Sequence, residues 1–110
     1  MKQYVIDQIR PDDQHRLKAY LDQQYTASAI DGVYWVPLKP ALFKPIQAQH
    51  TQCQPFYFAF ELANGQLSCE LLVRTQQRIR CGCMQYADSA QRDWLINLLD
   101  RILDELHIKL

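Results

Sequence analysis

Residues 56–74 have the sequence FYFAFELANGQLSCELLVR, in which two runs of β-favouring residues flank Asn64 and Gly65. Asn-Gly is the preferred pair for a two-residue type I′ hairpin turn. That turn sorts the side chains of the two strands into an apolar face and a more polar face, as a half-buried sheet requires. The pairs predicted on the apolar face are Leu62 with Leu67, Phe60 with Cys69, Phe58 with Leu71, and Phe56 with Val73.

A third strand is predicted at residues 78–86, RIRCGCMQY. Ile79, Cys81 and Cys83 occupy alternate positions there, and alternate side chains of a strand point to the same face. We therefore expect these three residues to lie beside Cys69 on the apolar face, under a helix.

The remaining elements are predicted from prolines, helix-capping residues and the periodicity of apolar residues. A strand is expected at residues 3–9, a helix from Pro11 to about Tyr25, a strand at 33–36, and a short helix at 40–50 that is distorted near Pro45. Asp88 and Gln91 have the spacing of a capping box, and a helical apolar stripe follows them. We expect one α+β domain over residues 1–110: a predominantly antiparallel sheet of four to five strands, with a long C-terminal helix packed on one face.

Composition limits the possible functions. The chain has 110 residues, 12 basic and 12 acidic, so its formal net charge is zero and binding to nucleic acid is not expected. There is no signal-peptide core and no apolar run long enough to span a bilayer, so we expect a cytoplasmic protein with reduced thiols and no membrane partner. No phosphate-binding loop, dinucleotide fingerprint, HExxH or GxSxG motif occurs.

His50, Cys53, Cys81 and Cys83 form a candidate metal site. A set of three cysteines and one histidine is a known tetrahedral zinc site, and Cys69 is a substitute ligand. The spacing is not that of paired CxxC knuckles, and the third strand would place its cysteines in the core, where thiols stay neutral. We therefore expect reduced, slowly alkylating thiols at positions 69, 81 and 83, and no zinc or other cofactor, with zinc binding as the alternative.

A cysteine-dependent enzyme is the second alternative. Cys53 is the only cysteine outside the predicted strands, and His50 precedes it by three residues. A reactive thiolate needs a positive, partly exposed setting, which a nearby histidine can supply. No third orienting residue and no oxyanion-hole motif can be named.

The face opposite the core carries Arg74, Arg78 and Arg80, with Tyr57 nearby. In the predicted register Arg74 opposes Arg78, and like charges across strands require a counter-ion. Either a glutamate, Glu70 or Glu61, supplies it, or these residues contact an anionic ligand or a protein partner. The favoured function is therefore a non-catalytic binding or assembly module. Homodimerisation through an open sheet edge is also expected.

Overall fold

A computed structural model describes residues 2–110 and has the predicted α+β class. The helices are α1 (Pro11–Gln24), α2 (Pro45–Gln49) and α3 (Ser89–Glu105), with single 3₁₀ turns at Pro40–Leu42 and Thr51–Cys53. The strands are β1 (Gln3–Ile6), β2 (Thr26–Ala27), β3 (Val33–Pro37), β4 (Phe56–Ala63), β5 (Gln66–Glu70) and β6 (Arg74–Thr75).

The described strands form one antiparallel sheet in the order β1-β5-β4-β3-β2, and β6 also pairs with β4. Its central hairpin is the one predicted. Leu62 pairs with Leu67 and Phe60 pairs with Cys69. Asn64 and Gly65 have φ values of 53° and 75°, the left-handed conformations that a type I′ turn demands at both central positions. The Asn-Gly signal therefore set the turn and the register next to it.

The predicted register fails farther from the turn. Phe56 pairs with Thr75 rather than with Val73, and Tyr57 pairs with Arg74. Two extra residues are therefore accommodated at positions 71–73, where the strand that pairs with β4 is interrupted between β5 and β6. Because strand side chains alternate with a period of two, a shift of two residues leaves every side chain on its predicted face.

The core lies on the face of the sheet that carries Phe56, Phe58 and Phe60, all fully buried. The stripes of α1 and α3 belong to the same apolar cluster, and Phe58 stacks on Trp94 with ring centroids 6.2 Å apart. The fully buried apolar residues of these two helices are Leu17 and Leu21 of α1, and Leu95, Leu99 and Ile102 of α3. The helices thus cover one face, as expected from the C-terminal stripe.

The start of α3 has the predicted capping box. The Asp88 carboxylate accepts a hydrogen bond from the Gln91 backbone N–H at 2.8 Å. The Gln91 side-chain oxygen accepts one from the Asp88 N–H at 3.2 Å. Two backbone donors at the helix start are thereby satisfied.

The third strand predicted at residues 78–86 is wrong. Of that segment only Tyr86 pairs, through a single bridge to Leu72. The Val73 N–H donates to the Gln85 carbonyl and the Ala87 N–H donates to the Leu71 carbonyl. Backbone groups of residues 71–73, where the hairpin is interrupted, are therefore bonded to residues 85–87. Ile79, predicted in the core, is 94% exposed. The alternation of apolar and polar residues could not distinguish a strand at residues 78–86 from an irregular segment.

The first strand is also shorter than predicted, since β1 ends at Ile6 rather than Ile9. Gln8 has φ of 56°, which turns the chain away from the sheet. Ile9 is nevertheless buried, and its N–H donates to the Gly65 carbonyl at 2.9 Å. The apolar character of Ile9 therefore reflects a packing role beyond the end of the strand.

Candidate metal centre

Four side chains of metal-ligand type converge at one end of the sheet: His50, Cys53, Cys81 and Cys83. Their ligand atoms all lie within 4.8 Å of one another. These are the four residues that the sequence offered as the alternative metal site. The prediction that Cys69, Cys81 and Cys83 share a sheet face is wrong, because Cys69 lies on β5 opposite Phe60 and is absent from the group.

The distances suit a tetrahedral ion. Zn–S bonds of about 2.3 Å and Zn–N bonds of about 2.0–2.1 Å place two sulfur ligands roughly 3.8 Å apart, and a sulfur and a nitrogen roughly 3.6 Å apart. The Sγ atoms of Cys53 and Cys81 are 3.9 Å apart. His50 Nδ1 is 3.2 Å from Cys81 Sγ. These two separations are close to the tetrahedral values, and all four ligand atoms lie within 4.8 Å of one another.

The first two ligands are positioned by the end of α2. The N–H of His50 bonds to the carbonyls of Ile46 and Gln47, and the chain then makes the 3₁₀ turn Thr51–Cys53. Cys53 N–H donates to the His50 carbonyl at 3.0 Å. In a 3₁₀ turn, side chains three residues apart lie on the same side, so His50 and Cys53 face one point.

The other two ligands come from a tight turn in the segment predicted to be a strand. The N–H of Met84 donates to the Cys81 carbonyl at 3.1 Å, which closes a four-residue turn around Gly82 and Cys83. This turn brings Cys81 and Cys83 toward α2, and a methyl group at Gly82 would meet Ile46 at 3.9 Å. The CxC spacing thus supplies both ligands from a turn rather than from one face of a strand.

A buried glutamine supports the second pair of ligands. Gln47 of α2 is fully buried, and its Nε2 donates to the Cys83 carbonyl at 3.4 Å. Its Oε1 accepts from the Lys44 N–H at 2.8 Å and from Gln91 Nε2 at 2.9 Å. Gln91 also donates to the Leu42 carbonyl at 2.9 Å. A hydrogen-bonded chain therefore connects the capping box of α3 to the backbone of Cys83, one of the four candidate ligands.

The pair of His50 and Cys53 is also supported by a buried polar side chain. The Thr75 hydroxyl, on β6, donates to the carbonyl of Cys53, and it also accepts from the Gln77 N–H at 3.0 Å. Thr75 is 5% exposed. Outer-shell contacts of this kind fix the orientation of ligands, which is the usual companion of a metal site. The sequence contained no direct signal for Gln47, Thr75 or Gln91 in this role.

The thiols differ in their readiness to ionise. Hydrogen bonds from the backbone N–H and the thiol of Cys83, and contacts with His50 and Cys53, lower the pKa of Cys81 to about 6. Burial, followed by hydrogen bonds to Cys81 and Cys53, raises the pKa of Cys83 to about 12. Neighbouring thiols cannot all become thiolates cheaply without a cation between them, and metal binding releases those protons.

Access to the group is from one side. Cys53 and Cys83 are buried, whereas His50 and Cys81 are partly exposed. Cys69 is fully buried, and burial raises its pKa above the ordinary value for a thiol. Burial around Cys69 and Cys83 raises the pKa of both thiols, whereas the contacts of Cys81 lower its pKa and favour the thiolate. Slow alkylation of these thiols stays a prediction.

The predicted arginine face does not form as one strand surface. Arg74 lies on β6 and pairs with Glu70, so the counter-ion is one of the two glutamates considered. Arg78 and Arg80 are exposed in the segment after β6, and the predicted opposition of Arg74 and Arg78 is wrong because residues 78–86 form no strand. Tyr57 lies beside Arg74 and meets Trp35 edge-on at 6.0 Å. A role for these four residues in ligand or partner contact stays a prediction.

The cysteine-enzyme alternative centred on Cys53 has a different geometry from that expected. Cys53 is 3% exposed. His50 Nδ1 contacts Cys81 Sγ at 3.2 Å, so the histidine is poised toward the other cysteine. A nucleophile at this site would therefore be Cys81 rather than Cys53.

Comparison of the chain with protein-family models, curated proteins and solved structures found no match. Among residues 2–110, no helix combines the length and apolarity needed to cross a membrane. Function is therefore inferred from the chemistry of the four converging side chains.

Proposed function

We propose that this protein is a zinc-binding module in which His50, Cys53, Cys81 and Cys83 hold one structural ion. The observation that supports the proposal is the convergence of their ligand atoms within 4.8 Å. Three of the four donors are sulfur, and soft thiolates with an imidazole in a tetrahedron select zinc over the oxygen-seeking ions magnesium and calcium.

A structural role fits better than a catalytic one. Catalytic zinc sites keep one position open for water or substrate, whereas four protein ligands close the coordination sphere. The ion would also join two segments with little regular structure: His50 and Cys81 are 31 residues apart in sequence. Bound zinc would thus replace the packing that residues 76–85 lack, much as a cross-link does.

The proposed module is non-catalytic and works in a reducing compartment such as the cytoplasm. The four cysteines are free thiols, which such a compartment maintains and which zinc requires as thiolates. An anionic ligand or an acidic protein partner remains the proposed target of Arg78 and Arg80. Zinc would act on that contact indirectly, because Cys81 follows Arg80 directly and anchors the end of the exposed segment.

Zinc analysis of protein purified in reductant without chelator tests the proposal. We expect about one zinc per chain by mass spectrometry, and cobalt substitution should give the intense visible bands of a tetrahedral site with thiolate charge-transfer absorption. The Cys81→Ser/Cys83→Ser variant should lose both. Cys69→Ala is the matched control, because Cys69 lies outside the group; it should keep both although it loses packing.

The proposal fails if wild-type protein holds less than about 0.1 zinc per chain after incubation with equimolar zinc. It also fails if cobalt gives only the weak spectrum of an octahedral ion. The cobalt measurement on wild-type protein needs no variant, so a Cys81→Ser/Cys83→Ser chain that does not fold leaves the test intact.

A thiolate nucleophile at Cys81 is the second candidate. The short contact with His50 Nδ1 and the lowered pKa of Cys81 support it. The two candidates differ in one measurement: the rate at which Cys81 of the protein as purified reacts with iodoacetamide at pH 7. A zinc-bound thiolate reacts slowly until a chelator is added, whereas a free catalytic thiolate reacts fast from the start and the protein contains no zinc.

A further inference from the structure

Among residues 2–110, no strand pairs with the outer edge of β1. β1 is the last strand in the order β1-β5-β4-β3-β2, and β2 at the other edge is only two residues long. An edge strand presents unpaired N–H and C=O groups to any strand that can approach, so the four residues of β1 offer the longer template.

The register identifies which backbone groups are free. β1 pairs with β5 from Gln3 opposite Glu70 to Ile6 opposite Leu67. The Lys2 carbonyl accepts from Leu71 N–H, and hydrogen-bonded pairs alternate along an antiparallel ladder. Tyr4 and Ile6 therefore bond to β5. The N–H and C=O groups of Gln3 and Val5 point away from the sheet.

β1 lacks the usual protection of an edge strand. Its sequence, QYVI, contains no charge and no proline. The side chain of Val5 is 39% exposed. A groove of about 470 Å³ lies beside the strand, lined in part by Val5, Arg10 and Leu110. An apolar side chain, free backbone groups and adjoining space thus coincide.

We propose that β1 pairs antiparallel with β1 of a second copy, across a two-fold axis at Val5. Each Val5 would then exchange both of its free backbone hydrogen bonds with Val5 of the other copy. In this register the overlapping part of β1 runs from Tyr4 to Ile6, with Tyr4 facing Ile6 on each side of the axis, so no charged residues are opposed within the pairing. The two sheets would become one continuous sheet with their helices on the same side.

The choice of a second copy follows from this self-complementarity. An isologous contact requires the same patch on both partners to match itself, and the pairing about Val5 meets that requirement from Tyr4 to Ile6, where the two β1 strands overlap. The strand is short, so the contact should fall below roughly 1,200 Å² and the dimer should be weak and concentration-dependent. The proposal does not depend on bound zinc.

Sedimentation equilibrium of the protein in reductant, from about 5 to about 200 µM, tests the pairing over the range where weak interfaces are populated. Wild-type protein should shift from the mass of one chain to that of two. Val5→Lys should raise the dissociation constant about ten-fold or more, because two lysines would meet at the axis. The matched control is Ile30→Lys, since Ile30 is 67% exposed in the turn before β3, and it should dimerise like wild type.

Val5→Pro is a second variant with a different mechanism. It removes the N–H that points to the other copy and leaves the bonds of Tyr4 and Ile6 to β5 in place, so the chain should fold and stay monomeric. Wild-type protein that remains monomeric over the whole range would refute the pairing. A Val5→Lys dimer as tight as that of Ile30→Lys would refute it as well.

Discussion

Replacing Gln47 by leucine should weaken zinc binding although Gln47 is not a ligand. The substitution keeps most of the volume of a fully buried side chain and removes all three of its amide hydrogen bonds, to Cys83, Lys44 and Gln91. Gln91 retains the Leu42 carbonyl as a partner. The Cys83 carbonyl and the Lys44 N–H lose theirs.

The magnitude follows from those losses. A hydrogen bond contributes about 1 kcal/mol net, and a buried polar group left unpaired costs roughly 1–3 kcal/mol. We therefore expect the free energy of unfolding to fall by about 2–4 kcal/mol. Loss of an outer-shell contact weakens metal affinity by about 10- to 100-fold, and a comparable loss is expected here because Gln47 orients the backbone of Cys83.

The assay is competition for zinc with a chromophoric chelator, together with urea unfolding of the zinc-loaded protein. Gln49→Leu is the matched control, because Gln49 is an exposed glutamine on the same helix and its replacement should change the free energy of unfolding by less than about 0.5 kcal/mol. If Gln47→Leu binds zinc as tightly as Gln49→Leu, Gln47 is a packing residue and does not position the centre.

Two further predictions concern reactivity and surface charge. In metal-free protein, the rate of Cys81 alkylation should rise as pH increases through about 6 and level off by about 7, because the rate follows the thiolate fraction, while Cys69 should stay unreactive. Peptide mapping after alkylation at a series of pH values measures both rates. Equal labelling of the two cysteines would contradict the environments assigned to them. Arg78→Ala/Arg80→Ala should change the free energy of unfolding by less than about 1 kcal/mol in a urea titration, because both side chains are exposed; a larger loss would show that they belong to a structural network.

The parts of the fold that were predictable have local chemical signals. Asn64 and Gly65 specify a turn type through their backbone preferences, and Asp88 with Gln91 specifies a helix start through two reciprocal hydrogen bonds. Such signals act over a few residues and leave few alternatives. They were sufficient for the central hairpin, for α3 and for the class of the fold.

The third strand was predicted from the alternation of apolar residues alone, and such alternation does not specify a single structure. Cys81 and Cys83 are small and moderately apolar, so the pattern suits a core-facing strand and a metal-ligand turn equally well. The choice depends on where the chain goes at residues 71–73, which is decided by long-range contacts with residues 85–87. The identities of the four candidate ligands were visible in the sequence, but their convergence was not.

The interruption at residues 71–73 has different consequences for the hairpin and for the candidate metal centre. Removing two residues there would restore an unbroken ladder from Leu62 to Phe56 and leave Phe56, Phe58 and Phe60 facing the helices. The same deletion would remove the irregular segment 71–73, which bonds to Gln85 and Ala87 and so places the nearby turn that carries Cys81 and Cys83. The hairpin and the candidate metal centre therefore depend on different parts of the chain: the hairpin depends on the register next to Asn64 and Gly65, and the centre depends on the path of residues 71–73 toward residues 85–87.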